Sequence, residues 1–212
     1  MTPDISIVIP VYNEAENVPL LSRKLRDDLS SLGRTYEVIF IDDGSTDDTF
    51  VKLKEVQADG DHIRIIKFRR NFGKAAALNT AFRLVQGEVV ITMDGDLQDD
   101  SAEIPKFLDK IDEGYDLVSG WKYPRNDPVT KTAPSKIFNR LTCWMTRVNL
   151  HDFNCGFKAY KREVTDVLHL YGELHRYTPV LANYYGFKIA EVTVRHHPRE
   201  FGKSKYGAKR VI

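Results

Sequence analysis

The chain has 212 residues, of which 42% are hydrophobic, and a formal net charge of +1. This length fits one domain with a substantial core, and the balanced charge excludes the strong overall attraction to nucleic acid that a basic protein shows. The chain has only two cysteines, Cys143 and Cys155, and no secretory signal pattern. It also lacks an apolar run of the ~18–20 residues that span a membrane. These features predict a cytoplasmic protein, soluble or peripheral to a membrane.

Strands and helices alternate through the first 120 residues. Apolar strands are predicted at 5–9, 36–41, 63–68 and 89–93. A leucine stripe predicts a helix over 21–32, Ser45 or Thr46 is expected to cap a second helix, and a third is predicted over 75–85. This order predicts an α/β fold with a mostly parallel central sheet flanked by helices.

The alternation weakens after residue 120. We predict a strand at 116–120, a polar loop over 121–131, a helix over 135–148 and a polar turn at 151–156. A short strand through Tyr160, a helix near 179–185 and a strand over 187–194 are expected to close the domain. The single domain 1–212 therefore divides into an N-terminal half (1–120), a second half (121–194) and a basic end (195–212).

Polar residues cluster where the predicted strands end. The clusters are 10–14, 42–45, 69–74 and 94–100. Because ligands bind beyond the carboxyl ends of parallel strands, these four loops are expected to form one site at one edge of the sheet.

The cluster after the fourth strand predicts a metal site. Residues i and i+2 of an extended chain point to one side, so Asp94 and Asp96 are expected to converge, with Gln98 following. Like charges held this close need a cation between them, and such oxygen ligands suit Mg²⁺ or Mn²⁺ bound with substrate phosphates. These residues indicate a metal-assisted enzyme that acts on a phosphorylated compound.

The basic end carries six lysine or arginine residues and one acid, Glu200. It reads either as a solvated tail, or as an anion-binding loop or a segment lying near anionic lipid.

Several nucleotide-binding classes are excluded by their missing motifs. No GxGxxG follows the first strand, and no GxxxxGK[ST] occurs. Sugar nucleotidyltransferases typically have a glycine-rich first loop, whereas this loop, Pro10–Glu14, contains no glycine.

Three motifs resemble those of family 2 glycosyltransferases of the GT-A (nucleotide-diphospho-sugar transferase) fold. They are Pro-Val-Tyr-Asn-Glu (10–14), Asp-Asp-Gly-Ser-Thr-Asp (42–47) and Asp-Gly-Asp (94–96). Three further patterns narrow the resemblance to the polyprenyl-phosphate branch of that family. They are Arg-Asn-Phe-Gly-Lys (70–74), Asp-Gly-Asp-Leu-Gln-Asp (94–99) and the pattern from Arg199 to Tyr206. That branch includes dolichol-phosphate mannose synthases and bacterial undecaprenyl-phosphate glycosyltransferases.

The resemblance implies roles for individual residues. Donor-binding residues are Pro10, Tyr12, Glu14, Asp42, Asp43, Asp94 and Lys205, and the metal ligands are Asp94, Asp96 and Gln98. Acceptor-phosphate residues are Lys122, Arg125, Lys131 and Ser135, and the catalytic set is Asp96, Asp152 and Arg199. The family often has arginine at the position of Lys122, and lysine keeps the charge but loses the bidentate fork.

The resemblance implies metal-dependent, inverting transfer of a sugar from a nucleotide-sugar to a polyprenyl phosphate. A phosphate monoester is largely ionised at neutral pH, since its second pKa is near ~6, and therefore needs cations more than a general base. Transfer to a saccharide hydroxyl and sugar-nucleotide binding without catalysis are the alternatives. Relatives commonly continue into membrane-associated helices, so we expect a truncated chain at the cytoplasmic face of a membrane. The nucleobase, the sugar, the prenyl length and homo-oligomer formation stay open.

Overall fold

A computed structural model describes residues 2–60, 62–123 and 148–198. Its strands are β1 (Ile5–Val11), β2 (Tyr36–Asp42), β3 (Ile63–Lys67), β4 (Val89–Thr92), β5 (Leu117–Lys122), β6 (Lys158–Lys161) and β7 (Ile189–Val194). Its α-helices are α1 (Asn17–Ser30), α2 (Thr49–Ala58), α3 (Lys74–Phe82), α4 (Ile104–Asp112), α5 (Arg162–Val167) and α6 (Thr178–Tyr184). Short 3₁₀ turns occupy Ser101–Glu103 and Leu174–Arg176.

The seven described strands form one sheet in the order β3-β2-β1-β4-β6-β5-β7. β6 pairs antiparallel with β4 and β5, and the other pairings are parallel. The predicted α/β architecture, a mostly parallel sheet flanked by helices, is confirmed.

Helices cover both faces of the sheet, and the side chains of β1 alternate between the two helical layers. Ile7 and Ile9 pack in one core cluster with the leucine stripe of α1, whereas Val8 packs with Leu78 of α3 on the other face. All of these apolar side chains are at most 3% exposed. A sheet covered on both faces needs such nearly continuous apolar strands.

Two helix predictions need correction. Neither Ser45 nor Thr46 caps α2, which begins at Thr49; the Ser45 hydroxyl instead accepts the Asn13 N–H at 2.9 Å. Helix α4, with Phe107, Leu108 and Ile111 buried, was not predicted. The helix expected over 135–148 lies outside the described residues except for Val148, which is not helical. None of the helices within the described ranges is long and apolar enough to cross a membrane.

The register brings the polar clusters to one edge. Val11 at the end of β1 pairs with Asp42 at the end of β2, and Val8 pairs with Thr92 at the end of β4. Because β6 runs the opposite way, its first residue, Lys158, pairs with Thr92 at this same edge. The edge therefore holds the carboxyl ends of the parallel strands and the amino end of β6.

Candidate active site

Hydrogen bonds join the loops after β1 and β2 into one unit. Thr46 donates its N–H to the Asn13 side-chain oxygen at 2.8 Å, and Glu14 donates its N–H to the Thr49 hydroxyl at 2.7 Å. Asn13 has a left-handed backbone, with φ of 54°, which an asparagine tolerates better than most residues. Four of the predicted donor-binding residues, Pro10 and Glu14 on one side and the Asp42–Asp43 pair on the other, thus sit on a single fixed platform.

The two aspartates after β2 have different surroundings. Asp42 is fully buried and accepts the Ser45 N–H at 2.8 Å through one oxygen, while its Oδ2 has no hydrogen-bond partner among the described residues. Asp43 accepts the N–H groups of Phe72 and Gly73 at 2.7 and 2.9 Å. Asp43 therefore fixes the loop that precedes α3, and Asp42 is buried at the end of β2 with one oxygen holding the turn at Ser45.

Gly44 allows this loop to approach so closely. Its φ is +71°, and a Cβ placed there would lie 2.3 Å from the Arg70 carbonyl carbon. Only glycine combines this conformation with this contact at low cost.

Replacing Gly44 by alanine is expected to lower the free energy of unfolding by about 2–3 kcal/mol, from left-handed strain plus overpacking. Gly33→Ala is the matched control, because Gly33 also has a positive φ (+63°) but nothing within 4 Å of an added Cβ. That variant should lose only the strain, about 1–2 kcal/mol. Urea unfolding of both variants tests this, and equal losses would show that the Arg70 contact does not matter.

The loop after β4 does not have the extended shape that the sequence predicted. β4 ends at Thr92, the chain turns at Gly95–Asp96, and Leu97 has a φ of 62°. The alternation argument for bringing Asp94 and Asp96 together is therefore wrong. Instead, the turn is held by the Gln98 N–H, which donates to Asp96 Oδ1 at 3.2 Å.

Gln98 connects this turn to the end of the described chain. Its side-chain nitrogen donates to the His197 carbonyl at 3.2 Å and lies 3.4 Å from His196 Nε2. A β-bridge between Asp99 and His196 continues the contact. The first residues of the basic end (195–212) consequently lie against the predicted metal-binding turn.

Asp94 forms an ion pair with Lys74 at the first position of α3. Burial alone would raise the pKa of Asp94, but the charges of Lys74, Lys122 and Lys158 outweigh it and hold this pKa well below its usual value. Gly156 makes room for the pair, since a Cβ there would lie 2.6 Å from Lys74 Nζ. Asp94 is therefore an ionised group that already shares its charge with a lysine.

Lys122 has a different partner from the predicted acceptor phosphate. Its side chain is only 11% exposed, and its nitrogen lies 3.1 Å from the fully buried carboxylate of Asp99. Burial would lower the pKa of Lys122, but the Asp99 carboxylate raises it instead. The other Asp99 oxygen accepts the Asp94 N–H at 3.1 Å, so this ion pair helps to fix the chain where it enters the turn at Gly95–Asp96.

The described part of the second half is tightly packed. Asp152 is 2% exposed and accepts the Asn154 N–H at 3.0 Å, while its own N–H donates to Glu191. Trp121 stacks on His151 with ring centroids 4.1 Å apart. Five other predicted site residues lie outside the described residues: Arg125, Lys131, Ser135, Arg199 and Lys205.

The donor set at the turn fits a divalent metal that arrives with a diphosphate. Within residues 2–60, 62–123 and 148–198, no group of three or more His, Cys, Asp or Glu side chains could hold a metal by itself. Mg²⁺ commonly uses one or two carboxylates and completes its shell with substrate phosphates and water. The turn offers one or two carboxylates of this kind, since Asp96 is held in it by the Gln98 N–H and Asp94 lies two residues before it.

The family model described as glycosyl transferase family 2 matches residues 6–168. The chain belongs to this family. It is 39% identical over 209 residues to the undecaprenyl-phosphate 4-deoxy-4-formamido-L-arabinose transferases of two Klebsiella pneumoniae strains. The match covers 98% of this chain and 64% of each relative, so the chain spans just under two thirds of their length.

Solved structures share the fold of this family 2 chain. A glucosyl-3-phosphoglycerate synthase from Mycobacterium tuberculosis, in complex with Mn²⁺, UDP and glucosyl-3-phosphoglycerate, superimposes with a TM-score of 0.72 at 21% identity, over 95% of this chain and 73% of that one. A mannosyltransferase from Pyrobaculum calidifontis, in complex with GDP-Man and Mn²⁺, gives 0.68 at 22% identity, over 96% of this chain and 59% of that one. At these identities the likeness establishes the fold.

Sequence reasoning missed two residues of the candidate site, Lys74 and Asp99. Lys74 was seen only as part of a polar loop, although a lone cation near buried carboxylates is a signal for pairing. Asp99 was seen only as part of the acidic run. For His175, the sequence left substrate binding and a structural polar contact equally open, and the fold brings it beside Lys74 and Asp94 in one cavity.

Proposed function

We propose that this family 2 chain is a metal-dependent inverting glycosyltransferase that moves a sugar from a UDP- or GDP-sugar to a polyprenyl phosphate. The observation that supports it best is the single edge at which Asp42, Asp43 and the Asp94–Asp96 turn meet. The 39% identity to transferases named for undecaprenyl phosphate supports the acceptor class.

Each part of the edge has a role in this proposal. Asp42 accepts a hydrogen bond from the nucleoside, next to Tyr12 and Glu14 on the same platform. Asp94, Asp96 and Gln98 would hold the Mg²⁺ or Mn²⁺ ion that accompanies the diphosphate. The metal, when bound, neutralises the charge that develops on the leaving diphosphate.

The transfer step requires little proton chemistry. A lone pair on the acceptor phosphate oxygen forms the new bond to sugar C1 from the face opposite the diphosphate. The C1–O bond to the β-phosphate breaks, and its electron pair stays on the diphosphate. Because the acceptor is already ionised, no general base has to remove a proton.

The other predicted residues complete the proposal. Arg199 and Lys205 contact the diphosphate from the basic end (195–212), and Arg125, Lys131 and Ser135 receive the acceptor phosphate. Since Lys122 pairs with Asp99, we assign it to support of the turn. The basic end also holds the chain at the cytoplasmic face of an anionic membrane.

The test measures nucleotide release and sugar transfer with Mn²⁺ or Mg²⁺, for a panel of UDP- and GDP-sugars, with and without a short-chain polyprenyl phosphate. We expect metal-dependent release that rises at least about tenfold with the lipid phosphate, and a product inverted at C1. Release that the lipid phosphate leaves unchanged, but a saccharide stimulates, would contradict the acceptor assignment. No binding of any UDP- or GDP-sugar would overturn the proposal.

A further inference from the structure

The ion pair of Lys74 with Asp94 places an ammonium group on a predicted metal ligand. Lys74 Nζ contacts Asp94 Oδ1, and the two side chains are 14% and 32% exposed. Both residues also line a cavity of about 190 Å³. Solvent reaches both side chains, so the pair is open to small ions.

The loop before Lys74 is tied to the platform formed by the loops after β1 and β2. Asp43 accepts the N–H groups of Phe72 and Gly73 at 2.7 and 2.9 Å, and Lys74 follows as the first residue of α3. Gly156 leaves space for the ammonium, since a Cβ there would lie 2.6 Å from Lys74 Nζ. The fold therefore fixes the backbone of Lys74 and leaves its side chain as the part that can change partners.

Two other lysines act on Asp94, but each has its own partner. Lys122 pairs with Asp99 at 3.1 Å, and Lys158 donates to backbone carbonyls in the segment before β6. Of these three described lysines, Lys74 is the one whose ion pair is with Asp94 itself. An ammonium on Asp94 repels a divalent ion at the same carboxylate, and the repulsion is strong because the pair is partly buried.

A diphosphate changes this balance because it brings negative charge on each of its phosphates. The lysine stem is long and flexible, and its ammonium commonly binds phosphate. A phosphate oxygen at the turn therefore gives Lys74 a second acceptor, which it can reach by turning its side chain while α3 stays in place.

We propose that Lys74 competes with the divalent metal for Asp94, and that it moves to the diphosphate when the donor binds. Metal and donor then bind together, whereas the metal alone binds weakly. The inference rests on the proposed function, because it needs a nucleotide-sugar at this edge. It goes further by assigning Lys74 to the diphosphate and by predicting the order of binding.

The first test measures Mn²⁺ binding by EPR without nucleotide. Lys74→Met and Lys74→Gln both remove the competing charge, and we expect each to bind Mn²⁺ at least about tenfold more tightly than the wild type. Lys74→Arg keeps the charge and should stay within about threefold of the wild type. Lys52→Met is the matched control, because Lys52 pairs with Glu55 at an exposed site.

The second test measures the Kd of UDP or GDP, whichever the wild type binds more tightly, by calorimetry at saturating Mn²⁺. The Met and Gln variants are expected to bind it at least about tenfold more weakly, because a charge-assisted contact to phosphate is lost. Lys74→Arg should keep most of the affinity. The two effects have opposite signs, whereas a distorted site would weaken the binding of both metal and nucleotide.

The outcomes separate the inference from the proposed function. Unchanged or weaker Mn²⁺ binding in the Met and Gln variants would overturn the inference, and so would an unchanged Kd for the nucleoside diphosphate. Neither result alters sugar transfer by the wild type, on which the proposed function depends. A wild-type chain that binds neither UDP nor GDP would refute the proposed function itself.

Discussion

Replacing Asp96 by asparagine should slow sugar transfer by about 10²–10³-fold, the loss typical when a charge-stabilising group is removed from a transition state. Asp96 lies in the turn itself, and we expect its carboxylate to supply ligand charge to the metal. Asparagine keeps the size of the side chain and can still accept the Gln98 N–H. The fold should therefore be retained while the metal affinity falls.

Two measurements separate this prediction from a general defect. The transfer rate is compared with the Mn²⁺ dissociation constant, measured by EPR in the presence of the nucleoside diphosphate. Asp109→Asn is the matched control, because Asp109 is an exposed aspartate on α4. Full transfer and unchanged Mn²⁺ affinity in Asp96→Asn would show that the metal is held elsewhere.

Asp99→Asn is expected to lower the free energy of unfolding by about 3–5 kcal/mol, because it leaves the buried Lys122 ammonium without its counter-charge. Lys122→Met should cost less, since it leaves the Asp99 carboxylate buried but still accepting the Asp94 N–H. The double variant should be more stable than the sum of the two losses predicts, because neither unpaired charge remains.

A double-mutant cycle by urea unfolding measures this coupling. The exposed pair of Lys110 and Glu113 supplies the control, and Glu113→Gln should change stability by less than about 1 kcal/mol. Additive losses in the Asp99 and Lys122 variants would mean that the two side chains do not depend on each other.

The sequence predicted the first half of the fold well because its strands are apolar and its helices carry clear stripes. β1 to β4 all lie within two residues of their predicted ends. The direction of β6 could not be predicted, because a strand of four residues carries no signal for parallel or antiparallel pairing. Helix α4 was missed although its buried residues Ile104, Phe107, Leu108 and Ile111 have the spacing of an apolar helix face.

The site was predicted in its location and less well in its contacts. The rule that polar loops meet at the carboxyl edge needs only the order of the strands. The partner of Lys122, by contrast, is set by how β5 lies over the turn after β4, and no local pattern encodes that contact. The turn at Gly95–Asp96 was likewise missed because Leu97 takes a backbone conformation that is rare for leucine.

The reversed direction of β6 has an evolutionary consequence. β5 ends at the same edge of the sheet at which β6 begins. Tyr123 and Phe157, which flank the connection between these strands, therefore both lie at the edge that holds the candidate site. The entropic cost of closing a flexible loop rises only slowly with its length, by about 0.6 kcal/mol for each doubling. We therefore expect that insertions or exchanges between these two strands can change this edge of the sheet while the register of β1 to β4 stays unchanged.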